Sequence, residues 1–314
     1  MRVIVVGLGV QGNKRLHFSG KDFVAAVDVV KKDKAIYQDI TDVPLTSYDA
    51  ALVCLPDAPK YKIIRYLLEN NKHVLVEKPL HTETDEQILE LQVLAQKKKL
   101  VCYTAYNHRF EPHFIQMKNL IDSGELGNIY SCRLFYGNGT ARLVRNSIWR
   151  DQGLGVLTDL GSHLLDTIIF WFKHIPSLGF ENIVVNTFEN NAPDHVIVIN
   201  KKSNPVLNLE MSLISWRNHF TCDIFAENGS AHIDSLCKWG PSRFIHRQRL
   251  LPSGRPPEET ITLEQEDPTW AVEYLHFKNL IINGATTDLT TDLWIQQTLK
   301  RLGQSYYNSI KVLS

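Results

Sequence analysis

Residues 2–6 read RVIVV, an apolar run that passes directly into GLGVQG at 7–12. A second run, FVAAVD, ends at Asp28, and a third, AALVCLP, covers 50–56. HVLVE at 73–77 and LVCYT at 100–104 follow, each separated from its neighbour by a segment of helical period. Apolar strands that alternate with helices form a parallel sheet buried on both faces. This rule constrains the first 105 residues more than any other feature of the chain. The helix expected near 60–69 turns Ile63, Ile64, Leu67 and Leu68 inward, and Asn70-Asn71 suit a left-handed exit. The next one opens on a capping box, Thr84 with Gln87, and closes on Lys97-Lys98-Lys99.

The glycines carry a second constraint. Gly7, Gly9 and Gly12 follow a strand and open a helix, and the next strand closes on an acid, Asp28. In that setting the first glycine permits a tight turn. The second lets the backbone approach a pyrophosphate, and the third lets helix and strand pack closely. A ligand-free strand–helix turn would use the same residues. With a dinucleotide bound, Asp28 accepts from a ribose hydroxyl and repels a 2′-phosphate, which favours NAD over NADP. Lys31, Lys32 and Lys34 lie just beyond it. Ligands of an open parallel sheet sit beyond the carboxyl ends of its strands. Leu55-Pro56 and Glu77-Lys78-Pro79 occupy those ends, so Lys78 becomes a candidate for the chemistry.

Beyond residue 105 the pattern changes. A helix near 112–123 and a strongly apolar one near 156–172 precede a series of short strands. PVLNLEMSLISW alternates Leu207, Leu209, Met211 and Leu213 with polar residues, as a half-buried antiparallel strand does. Asn228-Gly229 marks a hairpin. Two closing helices are expected at about 268–283 and 289–309. The second domain, 106–314, is therefore of the α+β class.

Within the apolar helix, Asp159, His163 and Asp166 fall at i, i+4 and i+7 on one stripe. Buried carboxylates and an imidazole must be paired, so an internal network is one reading. The other is chemistry. An alcohol that loses a hydride must also lose a proton, and imidazole is a suitable base near neutrality. An ammonium beside the forming oxyanion would stabilise it. His163, Lys78 and Asp159 fit the roles of base, cation and orienting carboxylate. An Asp-x3-His pair without a third ligand argues against zinc.

Balanced charge, 34 basic against 34 acidic residues, argues against a broad nucleic-acid surface. Five cysteines without CxxC spacing suggest reduced thiols. The chain opens on a strand and has no apolar run long enough to span a bilayer. A cytoplasmic protein with neither nucleic-acid nor membrane partners is expected.

The set GLGVQG, Leu55-Pro56, HVLVEKPL at 73–80, YNHRFEP at 106–112 and DLGSHLLD at 159–166 resembles the glucose–fructose oxidoreductase / inositol dehydrogenase (Gfo/Idh/MocA) family. The resemblance implies an N-terminal Rossmann domain, 1–105, and a C-terminal domain with a large, open, mainly antiparallel sheet. That sheet would mediate a homodimer or homotetramer. The family's catalytic lysine falls on Lys78, with a cis bond to Pro79, and its aspartate and histidine on Asp159 and His163. Its cofactor contacts fall on Gly7, Gly9, Val10, Gln11, Gly12, Asp28, Leu55, Pro56, Glu77, Lys78 and Asn107. Two departures stand out. Only about twenty residues separate Asp28 from Asp49, where the family usually has a further helix and strand, and Lys60 replaces a frequent histidine.

Arg142, Arg145 and Arg150 lie close to Trp149 in ARLVRNSIWRDQG. Arginine forks suit phosphate oxygens and an indole stacks on a ring. Arg145, Trp149 and Arg150 are therefore expected to bind substrate beside Lys78, Asp159 and His163, on a nucleotide-linked sugar. Surface arginines or cofactor contacts are the other reading. The chain is similar to members that oxidise the 3-hydroxyl of UDP-N-acetylglucosamine in lipid A or polysaccharide biosynthesis. A dehydrogenase of a free sugar or cyclitol, and a non-enzymatic NAD-sensing regulator, are the alternatives. Arg243, Arg247, Arg249 and Arg255 are expected on an exposed or subunit-contacting hairpin.

Overall fold

The computed structural model describes residues 1–31, 35–147, 150–173 and 179–313, with side chains through 308. The chain divides into two compact units, Met1–Asn107 with Pro268–Gln296, and His108–Asp267 with Gln297–Ser314.

The first unit is built on five parallel strands: β1 (Val3–Val6), β2 (Phe23–Val27), β3 (Ala50–Val53), β4 (His73–Glu77) and β5 (Cys102–Ala105). Their order is β2-β1-β3-β4-β5. The strands are mostly apolar, and their successive side chains enter different cores. Ile4, Val6, Ala51, Val53, Val74 and Val76 pack on Ile64, Leu67, Leu68, Ile88 and Leu91. These come from α2 (Asp57–Glu69) and α3 (Asp85–Lys97). Val3, Val5, Ala50, Leu52 and Leu75 face the other way and pack with Tyr274 and Phe277.

Those last two residues belong to α7 (Thr269–Ile282). That face of the sheet needs a cover besides α1 (Val10–Ser19), and the chain supplies it from far along its length. A linear division at 105/106 assigns 268–296 to the second domain; the fold returns this segment to the first unit.

Where the resemblance implies a helix and a strand after Asp28, the described residues hold a bridge, Val27 to Tyr37, and a short 3-10 turn, Ile40–Asp42. Buried Ile40, Val43 and Tyr48 fill the space beneath. Asn71 is left-handed at φ 58, as the exit from α2 requires. The capping box at α3 differs from expectation. Gln87 Oε1 accepts from the Glu83 N–H at 3.0 Å, and Thr84 makes no side-chain cap.

The second unit carries an eight-stranded sheet, ordered β13-β12-β11-β10-β6-β9-β8-β7. Its strands are β6 (Ile129–Gly137), β7 (Glu181–Asn186), β8 (His195–Asn200), β9 (Val206–Ser212), β10 (His219–Ala226), β11 (Gly229–Asp234), β12 (Ser242–Gln248) and β13 (Glu258–Leu263). All pairings are antiparallel except β6 with β9. Strand β9 buries Leu207, Leu209 and Met211 as its period predicts, but it is antiparallel only to β8.

One sheet face packs α4 (Pro112–Ser123) and α6 (Ser162–Phe172). Phe114, Trp171 and Phe220 meet there, and the Trp171 indole donates to the Phe114 carbonyl at 3.0 Å. The remaining helices are the short α5 (Ala141–Arg145) and α8 (Thr290–Leu313). Among the described residues no helix is long and apolar enough to cross a membrane. All five cysteines are free.

Candidate active site

In the first unit the parallel register aligns Val6 with Val27 and Val53, Val53 with Val76, and Glu77 with Ala105. Every segment that follows these strands therefore emerges at one sheet edge. That edge gathers the glycine loop, Asp28, Leu55-Pro56, Glu77-Lys78 and Asn107.

The glycines there do different things. Gly7 sits at φ +92, and a Cβ on it would lie 2.5 Å from the Cys54 carbonyl oxygen. A Cβ on Gly12 would lie 1.8 Å from the Gly7 oxygen, so close packing requires glycine. Gly9 is unlike both, because a Cβ there would meet nothing within 4 Å. No fold contact demands that glycine, and the open space lies at the N-terminus of α1. There Gly9 is the N-cap, no side chain caps the helix and no acid occupies its first turn. Val10 is 76% exposed and Gln11 is exposed. Uncapped N–H groups beside open space fit an anionic pyrophosphate.

Asp28 Oδ2 accepts from the Leu8 N–H at 2.6 Å, and Oδ1 from Val30 and Lys31 N–H groups at 2.8 Å. Burial pushes its carboxyl up, but these backbone donors prevail and hold it below the ordinary carboxylate range. Two donors fill Oδ1, and Oδ2 keeps room for one more, such as a ribose hydroxyl. The residues present thus fit NAD. Lys31 donates to the Leu8 carbonyl; Lys32 and Lys34 lie outside the described residues.

Glu77 is buried, and its Oε1 accepts from Arg15 Nε at 2.6 Å. Arg15 also donates to Glu273 Oε2 at 2.6 Å, and its guanidinium lies 4.4 Å from the Trp270 ring centre. Burial lifts the Glu273 carboxyl to about 7; Arg15 opposes this and Glu77 adds to it. Lys78 is half-buried, and its bond to Pro79 is cis. Lys60, only 2% exposed, donates to Asp57 Oδ1 at 2.8 Å and to the Pro79 carbonyl at 2.7 Å. Asn107 spends an amide proton on Thr269 Oγ1 at 2.8 Å. Sequence reasoning missed Arg15 and Glu273, and noted Lys60 only as the replacement of a frequent histidine, outside the chemistry. Lys60 stands on a helix whose apolar stripe predicts its inward face, and Arg15 lies three residues past Gly12, so a signal existed for two of them.

In the second unit the helix that carries Asp159, His163 and Asp166 is irregular at its start. Residues Leu157–Gly161 form a π-helical turn that runs into α6, so 159 and 163 are not related by a regular α-turn. Asp159 is half-exposed, and Arg150 approaches it at 3.4 Å. His163 is buried, stacked on His108 with ring centres 4.1 Å apart, and edge-on to Tyr136 at 6.0 Å. Burial, with Asp159 adding to it, holds the Tyr136 phenol far above its ordinary range. Asp166 takes no part in this group. It is buried in a bidentate pair with Arg109, at 2.5 and 2.9 Å, and so serves the internal reading.

Arg145 is exposed, and Trp149 lies outside the described residues. On the later hairpin Arg243 pairs with Asp234 at 2.5 Å and Arg247 with Glu258 at 2.6 Å, while Arg249 donates to the Glu227 carbonyl. Glu111, Cys237 and Asp267 also cluster, but the Glu111 carboxylate already accepts from the Cys237 N–H at 2.7 Å and its thiol at 3.3 Å.

A five-stranded Rossmann unit with a pyrophosphate cradle, joined to a unit with a large antiparallel sheet, defines a dinucleotide-binding oxidoreductase fold. Residues 1–106 match the family model described as "Oxidoreductase family, NAD-binding Rossmann fold", and residues 114–232 match the "GFO/IDH/MocA C-terminal domain". The chain belongs to the Gfo/Idh/MocA family, and its first unit is the family's NAD-binding domain. It is 34% identical over 130 residues to an uncharacterized oxidoreductase of Schizosaccharomyces pombe, covering 40% of this chain and 34% of that one. The matched segment thus spans about a third of that relative's length.

A levoglucosan dehydrogenase, solved with NADH and L-sorbose, superposes with a TM-score of 0.82 at 17% identity, covering 98% of this chain and 97% of the other. The UDP-N-acetylglucosamine 3-dehydrogenase of Acidithiobacillus ferrooxidans superposes at 0.77 with 17% identity, covering 97% of each. Identities this low establish a shared fold.

Proposed function

We propose that this chain oxidises a secondary hydroxyl of a sugar to a ketone, with NAD as hydride acceptor. NAD, when bound, supplies the electrophilic carbon that takes the hydride. Gly9 and the first turn of α1 hold its pyrophosphate, and Asp28 receives a ribose hydroxyl. Lys78 stands at the edge where the reactive end of the cofactor would lie, and its ammonium stabilises negative charge on the substrate oxygen. His163 takes the hydroxyl proton, and Asp159 orients the substrate or the imidazole. The observation that carries the reading is Lys78 at the carboxyl end of β4, on the same sheet edge as an uncapped glycine cradle.

The substrate is proposed to be a nucleotide-linked sugar such as UDP-N-acetylglucosamine, oxidised at its 3-hydroxyl for lipid A or polysaccharide assembly. Exposed Arg145 and half-buried Arg150 support this, as does the likeness in fold to a dehydrogenase of that sugar. One observation favours a free sugar or cyclitol instead: the Arg150 guanidinium is already engaged by Asp159, which leaves a weaker fork for a diphosphate. Growth of the reduced-nicotinamide absorbance over a panel of UDP-sugars, dTDP-sugars, hexoses and inositols decides between them. Turnover of hexoses or inositols alone would remove the nucleotide, and silence across the panel would count against the oxidation itself.

A further inference from the structure

Lys60 and Arg15 are both buried cations, 2% and 1% exposed, on two different helices. Buried charges are costly unless paired and hydrogen-bonded. Each has a carboxylate partner that meets this requirement: Asp57 for Lys60, and Glu273 for Arg15. Beyond that partner, each reaches one further acceptor. Lys60 Nζ donates to the main-chain oxygen of Pro79, and Arg15 Nε to the side chain of Glu77. Those are the residues on either side of Lys78. An ion pair kept for stability alone gains little over apolar packing. Two such pairs that grip the two neighbours of one lysine are better explained by what they hold.

We infer that Arg15 and Lys60 are positioning residues that clamp the chain on both sides of Lys78, so that its ammonium is presented at a single place beyond β4. The inference rests on the proposed role of Lys78. Lys60 reaches the Pro79 oxygen from the first turn of α2, and the His81 N–H donates to that oxygen too, at 3.0 Å. Pro79 has no N–H of its own, so its position is set through this carbonyl. On the other side Arg15 is itself braced: Tyr103 donates to the Glu273 carboxylate at 3.3 Å, and the Trp270 ring lies against the guanidinium. Neither cation is assigned contact with substrate. A displacement of about 1 Å in a catalytic group can cost 10²-fold in rate, which sets the effect to look for.

The test is Lys60→Met in the full chain. Methionine matches the length and burial, and Asp57, with its side chain 39% exposed, can turn to water. Hydrogen exchange in the NADH complex needs no substrate. Amides of 78 and 80–82 should exchange at least about ten-fold faster, while those of β3, β4 and the rest of α2 stay unchanged. With whichever sugar of the panel turns over best, kcat should fall about 10- to 100-fold while the NADH dissociation constant stays within twofold. Unchanged exchange at 78 and 80–82 would overturn the clamp. So would kcat within threefold of the parent, or a parallel loss of NADH affinity and kcat, which marks a merely structural lysine. Should Lys60→Met fail to fold, Asp57→Asn is read by the same criteria. Lys78→Met is run beside them: if it keeps its turnover, the reading of Lys78 fails, whereas an inactive Lys78→Met with an active, unloosened Lys60→Met removes only the clamp.

Discussion

At the residue scale the site rests on a few charges whose surroundings differ sharply. Lys78→Met should lower kcat about 10²- to 10⁴-fold while the NADH dissociation constant moves less than twofold, as measured by fluorescence titration. Glu273 provides a test of electrostatics. Burial lifts its carboxyl from an ordinary 4.5 to about 7, so the folded chain holds a proton that the unfolded chain has released. Native stability attributable to this group therefore falls as pH rises from about 4.5 to 7 and is level above that. The full span is worth about 3 kcal/mol. Glu273→Gln should flatten that part of the pH dependence of thermal unfolding; an unaltered profile would show that the proton is held elsewhere. Arg15→Met strands two buried carboxylates and should cost about 3–5 kcal/mol, seen as a lower denaturation midpoint. None of these values could be read from sequence. Arg15 and Glu273 are 258 positions apart, and only the fold makes them partners.

At the scale of elements, the glycine loop shows how one motif mixes structural and ligand-binding demands. Gly12→Ala meets the Gly7 backbone and should damage the fold itself. Gly9→Ala meets open space at φ −66, a conformation alanine accepts. It should leave the unfolding free energy within about 1 kcal/mol of the parent while weakening NADH at least about tenfold. Equal loss in folding and binding would instead make Gly9 a packing glycine. The strands, the hairpin at Asn228-Gly229 and the helices were legible because periodicity reports burial directly. The π-turn over 157–161 was not. Its extra backbone step has no signature in residue type, so a plain α-helical period runs through it. The Thr84 box failed because Gln87 took a different backbone donor of equal quality.

At the scale of the whole molecule, ligand and assembly are the observables. NADH at a hundred times its dissociation constant should add about 2.7 kcal/mol to stability, and a tenfold weaker hold in Gly9→Ala should cut the shift at that concentration to about 1.4 kcal/mol. We also propose that the outward face of the eight-stranded sheet mediates a dimer or tetramer. Phe225, 43% exposed, lies there among polar residues. Sedimentation that gives only monomer at micromolar concentration would remove this proposal. The residue pattern alone was enough to place the parallel sheet, the glycine loop, the acid that follows β2, the lysine that follows β4 and the apolar helix with its histidine. Each of these depends on local period, on backbone sterics, or on which end of a parallel strand a residue occupies. The return of α7 to the first sheet, the buried Arg15–Glu77–Glu273 group, the hold of Lys60 on Pro79 and the diversion of Asp166 to Arg109 were decided by tertiary structure. A buried charge must find a partner, and which one it finds is a matter of distance in space that no spacing along the chain records.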